Sequence, residues 1–267
     1  CTAAVFACAR TGRVESDGHH DLTPEAGKSE PGDADFAQVR RHQLCRRGRR
    51  AYDSIAFPST DFDGTIHDPS GTPPIAPELL FHLRDAQACG VKWVINTGRE
   101  LADMIEKLRL LAGDIRPDFI VAVEREIHQR HNEQYLGHAT WNSDCQTDHA
   151  ALFTQASGAL SEIRKWVETR FAAHVYADAW SPLCIIASLM TDADAIHSRV
   201  EEECRRVPGL SVVRNAQYFR FGHQRYSKGT ALAEITRGLG LEKAVVFAAG
   251  DHFNDLSMLY GAYADRV

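Results

Sequence analysis

The chain has 267 residues, of which 44% are hydrophobic and 25% are charged, as is usual for a globular protein. Its length is sufficient for one large domain or for a domain that carries an insert. A formal net charge of −6 argues against general affinity for nucleic acids, and the sequence has no apolar run long enough to cross a bilayer.

Seven cysteines are scattered along the chain, and none of them forms a Cys-x-x-Cys pair. This odd number, without the spacing of metal ligands, predicts neither a disulfide framework nor a zinc site. We interpret the cysteines as small buried side chains or incidental thiols, and we expect a reducing cytoplasmic location.

The first 50 residues show no sustained helical or strand period, and an arginine-rich stretch closes them. They could form a basic arm for an anionic partner, or a disordered tail or non-native leader; we favour the second interpretation. Because the chain begins with Cys1 and stops at Val267, soon after its last motif, we expect a fragment or an ill-chosen translation start.

From residue 51 onward, strand patterns alternate with helix patterns. Strands are predicted at residues 51–60, 91–95, 118–123 and 244–248, and helices at 77–88, 100–111, 228–239 and from 253 onward. Pro58 weakens the first of these strand predictions. The alternation predicts an α/β fold, a Rossmann-like three-layer core whose parallel sheet has helices on both faces.

Residues 124–222 interrupt this alternation with a different pattern. Short strands are predicted at 126–131, 184–189, 210–213 and 218–222, and long helices at 149–171 and 192–207. We therefore expect an α+β domain of residues 124–222, inserted into a core that consists of residues 51–123 and 223–267.

Two aspartates follow the first predicted strand. Asp61 and Asp63 are two positions apart, so both can project to one side at the carboxyl end of the strand, where open parallel sheets bind ligands. One carboxylate can attack phosphorus, while the other protonates the leaving oxygen and later deprotonates water. Gly64 permits the tight turn, although such a motif taken alone is more often a surface turn.

A second acidic pair follows the last predicted strand. Asp251 and Asp255 lie where a neighbouring edge loop would face Asp61. Because a carboxylate nucleophile repels a phosphate dianion, the reaction needs a cation nearby. Asp61, the main-chain carbonyl of Asp63 and Asp251 form a candidate Mg²⁺ site, with Asp255 as a further ligand. Taken alone, this segment could also be a helix-capping turn.

Four residues are candidates for holding the phosphate beside Asp61. They are Thr97, Gly98, Lys228 and Asn254. The hydroxyl of Thr97 and nearby main-chain N–H groups could bind a phosphate oxygen, or Thr97 could simply cap a helix. Lys228, predicted to begin a helix, could neutralise both the phosphate and the nucleophile. The motifs follow strands of one predicted sheet in a functional order, which favours the joint catalytic interpretation.

Six residues occur in an order that resembles the motifs of the haloacid dehalogenase superfamily of aspartate-nucleophile phosphatases: Asp61, Asp63, Thr97, Lys228, Asp251 and Asp255. The resemblance covers about residues 52–267. An insert between Thr97 and Lys228 resembles the large C2-type cap of the type IIB branch, and residues 123–127 with Trp141 are similar to the sucrose-phosphate phosphatase group. The resemblance implies a Mg²⁺-dependent phosphatase of sugar phosphates or related small metabolites.

Two departures from the family pattern leave alternatives open. Pro58 interrupts the strand before the nucleophile, and the chain ends where the family would add a fifth strand and a closing helix. The chain could therefore be a catalytically idle binding module. A phosphotransferase or mutase of the same fold is also open, because the acyl-phosphate can pass to an acceptor other than water. A P-type ATPase is excluded because it would need membrane helices and a Lys in place of Asp63.

We predict a small phosphorylated metabolite as the partner, with neither nucleic acid nor membrane, and the sequence leaves the oligomeric state open. Within the insert, several residues could contact the substrate: His128, His131, His138, Trp141, Trp180, Tyr218 and Arg220.

Overall fold

The structure, a computed structural model, describes residues 57–241 and 246–259. The leader expected at residues 1–50 lies outside these ranges, as do the first six residues of the strand expected at 51–60. Among the described helices, none is long and apolar enough to cross a membrane.

One mixed sheet organises the part of the chain that carries the motifs. Its strands are β1 (Phe57–Thr60), β2 (Val94–Asn96), β3 (Phe119–Ala122), β4 (Glu126–His131), β5 (Gln134–Gly137) and β10 (Val246–Ala249). They lie in the order β10-β1-β2-β3-β4-β5, in which the first four are parallel and the last two run antiparallel to their neighbours. The carboxyl ends of β10, β1, β2 and β3 therefore share one edge of the sheet.

Helices cover both faces of this sheet. They are α1 (Pro77–Ala88), α2 (Leu101–Leu111), α6 (Lys228–Gly238) and α7 (Leu256–Leu259). In β3, Phe119 and Val121 pack with α6 and α7, whereas Ile120 packs on the other face with α1 and α2. β3 is apolar throughout because both of its faces are buried. The predicted α/β core with a parallel sheet is confirmed.

A second sheet is antiparallel and has its own layer of helices. Its strands are β6 (Ala173–Tyr176), β7 (Cys184–Ala187), β8 (Leu210–Asn215) and β9 (Tyr218–His223), in the order β6-β7-β9-β8. Helices α3 (Ala139–Gln155), α4 (Ser157–Arg170) and α5 (Met190–Arg206) bury one face, where Phe219 and Phe221 meet Val167 and Val200. Successive side chains of β8 and β9 point to opposite faces of the sheet, so every second side chain lies on the face that these helices do not cover.

Three predictions about the insert are wrong in detail. The strand at 126–131, assigned to the insert, pairs with β3 in the first sheet, where Ile127 lies opposite Val121. Residues 149–171 are not one helix, because α3 ends at Gln155 and α4 begins at Ser157 around the buried Ala156. Helix α3 also starts ten residues early, at a cap formed by His138, which sequence rules for caps do not anticipate.

Candidate active site

Asp61 lies directly after β1, and its main-chain N–H donates to the carbonyl of Ala249 at 2.9 Å, so β1 and β10 stay aligned up to the site. Its side chain is buried and accepts a 2.8 Å hydrogen bond from Nζ of Lys228. Burial raises the pKa of the Asp61 carboxyl to about 6, with the charge of Asp255 adding to the rise and Lys228 opposing it.

Lys228 is the first residue of α6, a helix that begins with a capping box between Ser227 and Thr230. Its side chain is only 1% exposed, and Nζ also donates to Oδ1 of Asp255 at 2.6 Å. Burial alone would lower the pKa of the Lys228 ammonium, but the charges of nearby carboxylates raise it instead. The buried ammonium is therefore charged and bridges two carboxylates.

Asp255 shapes the loop that follows β10. Its Oδ2 accepts hydrogen bonds from the main-chain N–H groups of Asp251 and His252, both at 3.0 Å. Gly250 is needed at this bend because a Cβ there would overlap the Asp255 side chain. The loop thereby holds Asp251 at the surface of the site, where its Oδ1 accepts a bond from the Thr65 hydroxyl at 3.2 Å.

Three carboxylates converge at this edge of the sheet. Asp61, Asp251 and Asp255 each offer an oxygen within 4.8 Å of the others. Hard oxygen donors of this kind are those that Mg²⁺ and similar cations prefer. Gly64 lies against this group with φ of 80°, and a Cβ on it would overlap the Asp251 carboxylate.

The Asp63 carboxylate lies outside that group, and the sequence proposes only the main-chain carbonyl of Asp63 as a metal ligand. Arg99 binds it through two hydrogen bonds, of 2.6 Å to Oδ2 and 2.9 Å to Oδ1, and Nδ1 of His67 lies 3.1 Å from Oδ1. Burial acts to raise the pKa of the Asp63 carboxyl, but Arg99 and His67 outweigh it and the pKa falls below its usual range. The side chain is thus ionised and held by Arg99, which also pairs with Asp103.

The phosphate-binding candidates from the second motif lie beside Asp61. Thr97 is buried, and its hydroxyl oxygen accepts from the Arg99 N–H at 3.2 Å. It is not the helix cap, because α2 begins after Glu100. Asn96 joins this loop to α6 through a 2.8 Å bond from its Nδ2 to the carbonyl of Lys228.

A cavity of about 200 Å³ lies between the two sheets and exposes these groups. On the side of the first sheet its lining residues are Asp61, Asp63, Thr97, Gly98, Arg99, Glu124 and Asn254. On the side of the second sheet they are Val213, Asn215, Tyr218 and Arg220. Val213 pairs with Arg220 and Asn215 with Tyr218, so all four belong to the face of β8 and β9 that the helices leave uncovered.

Only two of the insert residues that the sequence singles out line this cavity, namely Tyr218 and Arg220. Trp141 instead donates to the carbonyl of Arg125 at 2.7 Å, and Trp180 donates to Glu100 at 3.3 Å. Sequence reasoning gave no role to Arg99 or Glu124. Arg99 directly follows Thr97 and Gly98, so a position near the proposed phosphate contacts was predictable from the sequence. No local sequence pattern assigns a role to Glu124.

Residues 124–264, more than half of the chain, match the sequence model of the haloacid dehalogenase-like hydrolase family. A search of curated proteins finds no match to the sequence.

Several solved structures share the fold at low sequence identity. The sucrose-phosphatase of Synechocystis sp. PCC6803, in complex with sucrose and phosphate, is 18% identical with a TM-score of 0.57, over 77% of this chain and 79% of that one. A haloacid dehalogenase-like hydrolase from B. subtilis is 19% identical with a TM-score of 0.56, over 78% and 87%. The C-terminal domain of trehalose-6-phosphate phosphatase from C. albicans is 13% identical with a TM-score of 0.54, over 83% and 77%.

Proposed function

The chain belongs to the haloacid dehalogenase-like hydrolases, and we propose that it is a Mg²⁺-dependent phosphatase that acts on a small phosphate monoester through a phospho-aspartyl intermediate on Asp61. The observation that carries this proposal is the buried arrangement of Asp61, Lys228 and Asp255 at the edge of a parallel sheet, with Asp61 lining the cavity. A sugar phosphate or a related metabolite is the substrate class that we favour.

In the first proposed step the Asp61 carboxylate attacks phosphorus, and the bond from phosphorus to the leaving oxygen breaks. Lys228 holds Asp61 in place and offsets charge that develops on the phosphoryl oxygens. Asp63 is ionised in the structure, so we propose that it takes up a proton from solvent as substrate enters and passes that proton to the leaving oxygen. Because Arg99 binds Asp63 in the structure, we propose that Arg99 gives up part of this pairing when substrate enters and keeps Asp103 as its partner.

In the second step Asp63 takes a proton from water, and the resulting hydroxide attacks the phosphoryl group. The bond between phosphorus and Asp61 then breaks, which releases inorganic phosphate and restores the carboxylate. Thr97, Gly98 and Asn254 are the proposed phosphate contacts beside Lys228. Asn254 would contact the phosphate through Nδ2, which donates to Glu124 in the structure, whereas its buried Oδ1, without a partner among the described residues, can only accept a hydrogen bond from a ligand hydroxyl.

Mg²⁺ fits the group formed by Asp61, Asp251 and Asp255, because their oxygens lie within 4.8 Å of one another and the Lys228 ammonium pairs with only two of the three carboxylates. The main-chain carbonyl of Asp63 stays in the proposed ligand set, and its carboxylate is reserved for proton transfer. Bound Mg²⁺ would reduce the repulsion between the nucleophile and the phosphate dianion.

The proposal is tested by phosphate release from a panel of sugar phosphates and other small-metabolite phosphates, each with Mg²⁺ or with EDTA. We expect release with Mg²⁺ and its loss with EDTA, followed by recovery when excess Mg²⁺ is restored. Release that is unchanged in EDTA would contradict the metal assignment. A folded protein that releases phosphate from no ester would contradict the phosphatase assignment.

Gly64→Ala is expected to weaken Mg²⁺ binding, because the new Cβ would displace the Asp251 carboxylate. The left-handed backbone at φ 80° also disfavours Ala, so we expect a loss of stability of about 1 kcal/mol. Titration calorimetry with Mg²⁺ and thermal unfolding measure the two effects. Gly238→Ala is the matched control, since a Cβ there meets no atom within 4 Å; equal Mg²⁺ affinity in both variants would contradict the prediction.

Two further expectations stay proposals: a core of residues 51–123 and 223–267 with an insert, in which the strand at 126–131 now joins the core sheet, and a cytoplasmic location. The second is supported by the buried thiols of Cys145, Cys184 and Cys204.

A further inference from the structure

The turn after β3 holds two consecutive residues in the left-handed region, although neither is glycine. The φ angles are 45° at Val123 and 67° at Glu124. Such conformations are unfavourable, above all for a β-branched residue, and they persist where surrounding structure enforces them, often at active sites. Here the Val123 N–H donates to the carbonyl of Arg99 and the Glu124 N–H to the carbonyl of Thr97, both at 2.9 Å. The strained turn is thereby fixed to the loop that carries the phosphate contacts.

This geometry directs the Glu124 carboxylate into the cavity. Its Oε1 accepts a 2.9 Å bond from Nδ2 of Asn254, and a Cβ on Gly98 would lie 3.3 Å from the same oxygen. Glu124 therefore lies between two of the proposed phosphate contacts and the open part of the cavity. Over residues 57–241 and 246–259 its carboxylate forms no ion pair within 4.0 Å, and the charges of Lys228, Arg220 and Arg125 act on it from a greater distance.

On the opposite wall of the cavity, the positive charge of Arg220 is already compensated by Asp178. Nη2 of Arg220 donates to Oδ2 of Asp178 at 2.8 Å, and Asp178 also accepts from the main-chain N–H groups of Trp180 and Ser181. The buried Nε of Arg220 has no partner among the described residues, which leaves one donor for a ligand. Beyond the phosphate contacts, the cavity thus presents one unpaired carboxylate, one spare donor and the polar side chains of Asn215 and Tyr218.

We propose that Glu124 determines specificity: it accepts a hydrogen bond from a hydroxyl of the leaving group and excludes leaving groups that carry a second negative charge. This inference rests on the proposed phosphatase function. Repulsion between Glu124 and the phosphoryl group is common to all substrates, so it cancels when two substrates are compared. A second anion would face an unpaired carboxylate in a partly dry cavity, where charges interact more strongly than in water.

The size of the cavity restricts the class of substrate further. Its volume of about 200 Å³ is smaller than the roughly 300–1,000 Å³ of most small-molecule sites. Together with Glu124, this size favours phosphate monoesters of small, uncharged polyols and sugars.

The test compares substrates that share a carbon chain and differ in charge: glycerol 3-phosphate with 3-phosphoglycerate, and glucose 6-phosphate with 6-phosphogluconate. We expect kcat/KM of the natural chain to favour the uncharged member of each pair by about tenfold or more. In Glu124→Gln, which keeps the shape and an acceptor for Asn254, this ratio should fall by about tenfold. Glu133→Gln, at an exposed residue of the β4–β5 turn, is the matched control and should keep the ratio.

Glu124→Gly is a second variant whose backbone suits the left-handed turn, so its folding does not depend on the side chain. Like Glu124→Gln, it should lose the preference for the uncharged member of each substrate pair. Phosphate release by both variants with the natural ratio would overturn the role of Glu124 and leave the phosphatase assignment intact. A folded natural chain that releases phosphate from none of these esters, or from any other, would overturn the phosphatase assignment and this inference with it.

Discussion

Replacing Asp61 with asparagine is expected to lower kcat by about 10,000-fold or more, because the amide cannot form the acyl-phosphate that the proposed mechanism requires. The change keeps the shape of the side chain and retains an acceptor for Nζ of Lys228, so the fold should survive. Rapid acid quenching of the natural chain with substrate should leave one phosphoryl group on the peptide that contains residue 61. The same peptide from Asp61→Asn should carry none.

Asp144→Asn is the control for this comparison, since Asp144 is an exposed residue of α3, a helix of the insert. Asp144→Asn should have the kcat of the natural chain. After quenching, its peptide that contains residue 61 should carry the phosphoryl group. Residual turnover above about 1% in Asp61→Asn would show that another group attacks phosphorus, once deamidation back to aspartate has been excluded by mass spectrometry.

Much of the core was predictable from sequence because its signals are local. The strand that leads to Asn96 and the strand that ends at Ala122 are short apolar runs, as buried parallel strands should be. Polar residues that follow such strands must meet at one edge, so the neighbourhood of Asp61, Thr97 and Asp251 follows from the order of elements alone.

The remaining features depend on contacts between distant residues. β4 is polar except for Ile127, unlike the apolar strands of the core, and only its pairing with β3 shows that it extends the first sheet. Glu124 stands in a left-handed turn that sequence rules reserve for glycine or asparagine. Its direction into the cavity arises from main-chain bonds to the Thr97 loop, which no local pattern encodes. The ion pair between Arg99 and Asp63 likewise joins residues that are distant in sequence, so no local pattern predicts it.

Lys228→Met should destabilise the fold and lower activity together. The ammonium is 1% exposed and lies between Asp61 and Asp255, so its removal leaves two carboxylates buried without a cation. Breaking a buried pair in this way typically costs about 3–5 kcal/mol of the free energy of unfolding. Urea denaturation followed by circular dichroism measures that loss. Arg237→Met removes an exposed cation from the same helix, where its partner is Glu234, and should change stability little.

A double variant separates the loss of charge compensation from the loss of packing. If the cost of Lys228→Met comes from uncompensated carboxylates, adding Asp61→Asn removes one of those charges and should restore about 1 kcal/mol or more of the lost stability. Mg²⁺ should also restore stability to Lys228→Met, because its proposed ligands include both carboxylates. Strictly additive destabilisation, with no effect of Mg²⁺, would mean that Lys228 acts mainly through packing. The buried ammonium would then not be the group that keeps Asp61 ionised for attack on phosphorus.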